Sequence, residues 1–479
     1  MAYTATETRQ IRQEIIVGFA AMLLAVVGIL LFIQEKYIYY LVGFLSFAAV
    51  GWCQTNIKRW VYLAIITIPI SPSMPIWKFK NPVTSELSDF VVLVVLLVFF
   101  FNYLMSQSKR KGFDSYLMAP LIAYGAVATV SCFAGYYVHY EKMLIINALG
   151  HLFKWFSYVG MYFVIFKMFK DEKDLKDLLR VILLAFTLGA AVAAVQYLRQ
   201  PTLHGRVFRS AGYMEGANVF AGILAVMLLF YFNVIIQQKS KEIFPSWIVY
   251  PSLAVILVAL VATFSRSGWV ALGMGLTVIS LLKGRNYIAA LAVLMTIAAF
   301  LLLGKPVEQR IEMTFEAHPW STLPIDIGGR EGIWKIAVDR LKDTGFWGVG
   351  YLNFGQTVMG TMPHNFFLAL IGESGPVGLI LFIFFLYRLF RAILFLYQHH
   401  PDPFFKTCAF GSLVVLAVVL ILEFFGEYFY SAPLTFLVFA FYGVSRLSFQ
   451  NEIDKFSETM RRGKPLVSLD YQWDSFNRV

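Results

Sequence analysis

The chain has 479 residues, 59% of them hydrophobic and 14% charged, with a formal net charge of +11. A soluble domain carries roughly a quarter charged residues, so this balance excludes an ordinary soluble domain and indicates a polytopic membrane protein. The excess of Lys and Arg lies mostly in short loops, where it serves helix orientation and contact with anionic membrane lipids; no nucleic-acid partner is expected.

In chain order, apolar runs centre on residues 14–33, 37–53, 58–72, 88–105, 116–136, 150–169, 176–198, 216–236, 247–264, 267–283, 287–303, 376–397, 406–425 and 431–447. At a spanning length of roughly 20 residues they predict an all-α polytopic integral membrane protein of about 12–14 transmembrane helices. Lipid offers the backbone no hydrogen-bond partners, so these spans must be helices. The first run follows Arg9 and Arg12 and leads into Gln34-Glu35-Lys36 rather than a small-residue cleavage site, and so reads as a retained helix. Cys53, Cys132 and Cys408 fall in or at the ends of apolar runs without metal-ligand spacing, and read as small core residues.

Basic clusters at Lys58-Arg59, Lys109-Arg110-Lys111, Lys167 to Arg180, Lys239 to Lys241 and Lys283 to Arg285 fall on one side if the helices alternate. The positive-inside rule makes that side, and both termini, cytoplasmic. The chain then divides into an N-terminal helix bundle (1–303), a large outer loop with an amphipathic helix (304–363), C-terminal spans (364–447) and a polar cytoplasmic tail (448–479).

Arg206, Arg209, Arg266, Arg330 and Arg340 stand on the opposite side, against the orientation bias, so each needs another reason to be there. Arg266 lies between two apolar runs with almost no polar spacer, which holds its guanidinium at the membrane surface. A snorkelling helix-end arginine is the plain alternative, but the flanking Ser265, Ser267 and Gly268 favour a tight ligand-binding turn. The planar guanidinium fork suits phosphate oxygens, so a cluster of Arg206, Arg209, Arg266 and Arg330 fits a multiply charged anion such as pyrophosphate. Arg330 follows Gly328-Gly329 and opens a predicted helix, whose dipole and free N–H groups also favour an anion; pairing with Asp326 or Glu331 is an equal alternative. Trp334, Ala337, Val338 and Leu341 recur at helical spacing and predict one apolar face of that helix, laid on the membrane surface or on the bundle.

His364, in Pro363-His364-Asn365 at the start of the next apolar run, is a candidate proton acceptor near neutral pH. It has no HxxxH or HExxH spacing, so no metal is expected. Asn365 is a supporting candidate beside it. Glu373 would lie on the opposite face of an unbroken helix, about 13 Å along the axis from His364. It reaches His364 only if Gly372, Gly375 and Pro376 break the helix; otherwise it is a structural carboxylate near the helix that begins at Pro376.

Four segments in this order resemble the bacterial O-antigen ligase and O-antigen polymerase superfamily. They are RSAGYMEGAN (Arg209 to Asn218), FSRSGW (Phe264 to Trp269), GGREGIWKIA with GFWGVGY (Gly345 to Tyr351), and PHNFFL with GESGPVG. The resemblance implies a GT-C-like, metal-independent glycosyltransferase without cofactors, in the bacterial inner membrane, with its site facing the periplasm. It implies an undecaprenyl-diphosphate-linked glycan as donor and a glycan or lipid A–core hydroxyl as acceptor, lipid A–core being preferred. Carried onto matching positions, Arg209 and Arg266 would bind the diphosphate, Arg330 would help bind substrate, and His364 would be the general base or acceptor-orienting residue of an inverting transfer. A polymerase of lipid-linked repeat units and a protein O-oligosaccharyltransferase share the donor chemistry, and no acceptor motif is legible. A lipid-linked sugar transporter or flippase is the alternative from another class; it predicts paired broken helices and ionisable residues at mid-membrane.

Overall fold

The computed structural model describes residues 57–71, 73–75, 84–105, 115–139, 142–169, 171–199, 202–203, 206–207, 209–213, 216–237, 239–283 and 330–461. The apolar runs at 14–33, 37–53 and 287–303, Cys53, Asp326 and the tail beyond Arg461 lie outside the described residues.

Helices α1 (Ile57–Thr67), α2 (Leu87–Met105), α3 (Ser115–His139), α4 (Lys142–Met168), α5 (Glu172–Arg199) and α6 (Ala217–Ile236) come first. After a short turn at Ser240–Ile243 follow α7 (Ser246–Ala262), α8 (Arg266–Lys283), α9 (Arg330–Arg340), α10 (Phe366–His399), α11 (Pro403–Leu422) and α12 (Ala432–Arg461). Each predicted apolar run within the described residues is a helix. The polarity change at Ser448 does not end α12, which continues to Arg461 with Ser448 and Phe449 buried. Two small antiparallel hairpins interrupt the helices: β1 (Ser73–Pro75) with β2 (Thr84–Glu86), and β3 (Thr202–Leu203) with β4 (Arg206–Val207).

Among the described residues, length and apolar character let six helices cross a membrane: α5, α6, α10, α11, Leu117–Tyr137 of α3 and Ala432–Ile453 of α12. Parts of α2, α7 and α8 are shorter apolar helices. The protein is therefore an all-α, multi-pass membrane protein. Its centre is α12, α6 and α11, whose spanning windows are 94%, 78% and 72% buried; α10, at 33%, lies at the periphery against α3. Every residue of α6 from Phe220 to Tyr231 is buried, as befits a helix apolar on all sides. Polar side chains join the central helices: the buried Asn233 of α6 donates through Nδ2 to the Thr407 carbonyl of α11 at 2.7 Å. Such interhelical bonds are worth about 0.6 kcal/mol on average in a membrane.

The ends of α5 mark the two ends of the bundle, about 40 Å apart for 28 residues at 1.5 Å each. Near its start, Lys176 pairs with Glu172 (2.6 Å) and Glu242 (2.7 Å), Arg180 with Asp177 (2.5 Å), and Lys58 with Asp174. Near its finish, Gln196 donates to the Gly212 carbonyl at 3.1 Å and so holds the loop that carries Arg209. A further ionic contact ties α2 to α4, where Lys154 lies 3.2 Å from Asp89 and 4.0 Å from Glu86.

Candidate functional site

Three segments that are distant in sequence meet at the far end of α5. The turn between α7 and α8 is held by local bonds: Thr263 Oγ1 donates to the Leu260 carbonyl (2.7 Å) and accepts the Ser265 N–H (3.2 Å). Phe264, buried between them, has a φ of 49°, a region that non-glycine residues seldom occupy. Arg209 Nε donates to the Thr263 carbonyl at 3.1 Å, which sets a cation at the negative end of the α7 dipole. Its Nη2 donates to Asn218 Oδ1 at 2.5 Å, at the start of α6. Asn218 Oδ1 also accepts from Ser265 Oγ at 3.0 Å. Ser265 Oγ lies 3.1 Å from Ser267 Oγ, which lies 2.8 Å from the Tyr428 hydroxyl. A continuous polar chain thus runs from Arg209 to Tyr428, and Arg266 stands inside it as the first residue of α8.

Tyr428 belongs to the loop between α11 and α12, which is anchored from several sides. Buried Glu423 accepts the Tyr428 N–H through Oε2 (3.0 Å), and its own carbonyl accepts the Phe366 N–H at the start of α10 (2.9 Å). Burial holds the Glu423 carboxyl well above the ordinary carboxylate range, against the pull of the Phe429 and Tyr428 N–H groups. Trp155 Nε1 donates to the Phe429 carbonyl at 2.6 Å, and the Tyr430 hydroxyl donates to Glu373 Oε2, also at 2.6 Å. The loop therefore presents Glu427 on a fixed support. Glu427 Oε2 lies 3.8 Å from His364 Nδ1, with the two side chains 11% and 42% exposed.

His364 has a φ of 50°. The non-glycine residues with positive φ among those described are Phe264, Leu352 and His364, and all belong to segments that build this end of the bundle. Backbone held in such conformations persists where the surroundings impose it, and it clusters at functional sites. Asn365 caps α10, its Oδ1 accepting the Leu368 N–H at 3.1 Å.

Helix α10 does break, at Gly375 (φ 66°, ψ −177°). The break follows Glu373, so the helix from Phe366 to Ser374 stays intact and Glu373 does not turn back to His364. The cause is chemical. Pro376 has no N–H for the carbonyl of Gly372, four residues earlier. The Val349 N–H supplies that bond at 3.0 Å, and the Gly350 N–H bonds the Glu373 carbonyl at 2.9 Å. The glycine segment 345–351 is thus packed into the bundle and is more than a surface turn. A Cβ at Gly135 of α3 would stand 1.9 Å from the Val349 carbonyl oxygen, and one at Gly375 2.0 Å from that of Phe346.

Arg330 heads α9 and lies over the Phe425 ring at 5.8 Å, on the same α11–α12 loop. Its charge opposes the effect of burial on the Tyr428 hydroxyl, which burial raises. Glu331 pairs with Lys335 at 2.7 Å, and Arg340 with Asp343 at 3.3 Å. The expected apolar face of α9 holds in part. Ala337 is buried with Val349 and Phe354, and Leu341 packs against them, but Val338 is 58% exposed. Val338 directly follows Ala337, and a step of 100° carries it off the packed face. Arg206 stands in β4, in register with Leu203.

The structure brings Arg209, Arg266 with its flanking Ser265 and Ser267, Arg330 and His364 to one end of the bundle, and it adds Asn218, Glu423, Glu427 and Tyr428. Of the additions, Glu423 and Glu427 left a trace in the sequence: two carboxylates in EFFGEYFY, at the end of an apolar run on the arginine side.

Residues 251–383 match the family model described as O-Antigen ligase. The match takes in Arg266, Arg330, His364, Asn365 and Glu373, and over that stretch it shows the likeness to the O-antigen ligase and polymerase superfamily read from the motifs. Arg209 and Glu427 lie on either side of it. No curated protein matches the chain.

Proposed function

We propose that this end of the bundle transfers a glycan from undecaprenyl diphosphate to an acceptor hydroxyl on the periplasmic side of the bacterial inner membrane. The specific reading is an O-antigen ligase with lipid A–core as acceptor. In that reading the ion-paired end of the bundle and both termini are cytoplasmic. The observation that carries it is the polar chain Arg209–Asn218–Ser265–Ser267–Tyr428, which makes one preorganised surface of three loops beside His364.

The chemistry follows from the charges. As the bond between the anomeric carbon and the diphosphate oxygen breaks, negative charge grows on the phosphate oxygens. Arg209 and Arg266, with Arg330 nearby, meet that charge without reorganising. His364 takes the proton of the acceptor hydroxyl as its oxygen attacks the anomeric carbon from the opposite face, which inverts the configuration. The products are the glycosylated acceptor and the lipid diphosphate. A polymerase or a protein O-oligosaccharyltransferase would use the same donor half.

One observation favours a second reading. The break in α10 and the buried Glu373 lie within a membrane span, as the path of a lipid-linked sugar transporter would require. Against it, the carbonyls at the break are already bonded by Val349 and Gly350. Reconstitution with a defined undecaprenyl-diphosphate glycan and candidate acceptors, followed by product analysis, decides between the two. Release of lipid diphosphate with one acceptor is the expected result. Movement of the donor across vesicles with no release for any acceptor overturns the transferase.

A further inference from the structure

We infer that Glu427 is the positioning residue of His364: its carboxylate fixes the imidazole orientation and stabilises the cation formed when the acceptor proton arrives. This rests on the reading of His364 as the acceptor base.

A lone histidine base has two faults. Either ring nitrogen can face the substrate, and the imidazolium it forms is unsupported. A carboxylate on one nitrogen corrects both. Here Glu427 Oε2 faces Nδ1 at 3.8 Å, which leaves Nε2 for the acceptor hydroxyl. The separation is longer than a hydrogen bond, as is common before substrate closes a site.

The competing groups are engaged elsewhere. Glu373 accepts from Tyr430, and Asn365 Oδ1 caps α10. Glu423, the nearest carboxylate on the same loop, bonds the Tyr428 N–H and is fully buried. Glu427 also carries a second oxygen, Oε1, that is buried and has no hydrogen-bond partner among the described residues. Glu423 Oε1 is left in the same state, so what sets Glu427 apart is that its other oxygen faces His364. The support is rigid because residues 428–430 are tied to Glu423, Ser267, Trp155 and Glu373.

The test uses the purified full-length protein with a defined undecaprenyl-diphosphate glycan and an acceptor that supports turnover. Wild type, Glu427→Gln, Glu427→Asp and His364→Ala are compared for kcat, for KM of each substrate and for thermal unfolding in detergent. Glu427→Gln keeps the shape and removes the charge. It should lower kcat about 10- to 100-fold while the donor KM stays within about twofold. Glu427→Asp should recover part of the loss, and the unfolding midpoint should not move. Wild-type kcat in Glu427→Gln overturns the proposal. So does a loss of kcat that comes with an equal change in donor KM and a lower unfolding midpoint, which marks a structural role. The two failures are separable: full turnover in folded His364→Ala sinks the base assignment itself. An unimpaired Glu427→Gln beside an inactive His364→Ala sinks Glu427 alone.

Discussion

At the start of α5, Lys176 sits between Glu172 and Glu242, and Arg180 meets Asp177. At the finish of the same helix, Arg209 meets a carbonyl and an amide oxygen, and Arg330 lies over an aromatic ring. The residue types are the same and the partners differ. A carboxylate offsets a cation's charge, whereas a neutral oxygen fixes the orientation of a guanidinium. The first end is laced with ion pairs along α5; at the second, the bonds of Arg209 tie its loop to the α7–α8 turn and to the start of α6.

The sharpest way to break this contrast is to remove the cations and the base at the second end. Arg266→Ala and His364→Ala should each lower transfer by about 100-fold or more, measured as lipid diphosphate release from folded protein. Arg266→Lys should recover little, because a point charge does not replace the planar fork. Full turnover in either alanine variant would remove that residue from the site. A smaller loss is expected from Asn218→Ala, which cuts the bridge between Arg209 and Ser265 without touching an arginine. Loss of one charge-assisted bond of about 1.4 kcal/mol corresponds to about tenfold in kcat/KM for the donor. An unchanged value would mean that Arg209 is placed without that bridge.

Glu423 sharpens the contrast through pH. Burial raises its carboxyl above the ordinary value of 4.5, so the unfolded chain loses its proton before the folded one does. The resulting stability is fully present below 4.5 and declines as pH rises from there towards the folded value. Glu423→Gln should flatten that decline in the thermal midpoint; an unchanged slope would show that other groups cause it. The smallest effect belongs to the first end. Lys176→Ala should leave transfer unchanged and lower the unfolding midpoint by a degree or two at most, since such pairs are worth about 0–1 kcal/mol. A tenfold loss of transfer there would end the comparison.

The helices were legible in the sequence because lipid leaves the backbone no alternative, and the apolar runs within the described residues coincide with α1 to α8 and α10 to α12. The grouping of Arg209, Arg266, Arg330 and His364 was legible from the same alternation, since each loop's side follows from counting spans. The break after Glu373 was only half legible. Gly375 and Pro376 mark it, but the Val349 N–H that completes it lies more than twenty residues upstream.

Sequence alone determined the helices within the described residues, the end of the bundle at which the arginines lie, and the boundary histidine. These depend on the medium and on local order along the chain. Tertiary structure alone decided that Asn218 and two serines join the arginine loops, and that Glu427, sixty-three residues after His364, is the carboxylate facing it. A hydrogen bond or an ion pair is made by distance in space, and helices that pack side by side bring together residues whose local sequence carries no sign of the partner.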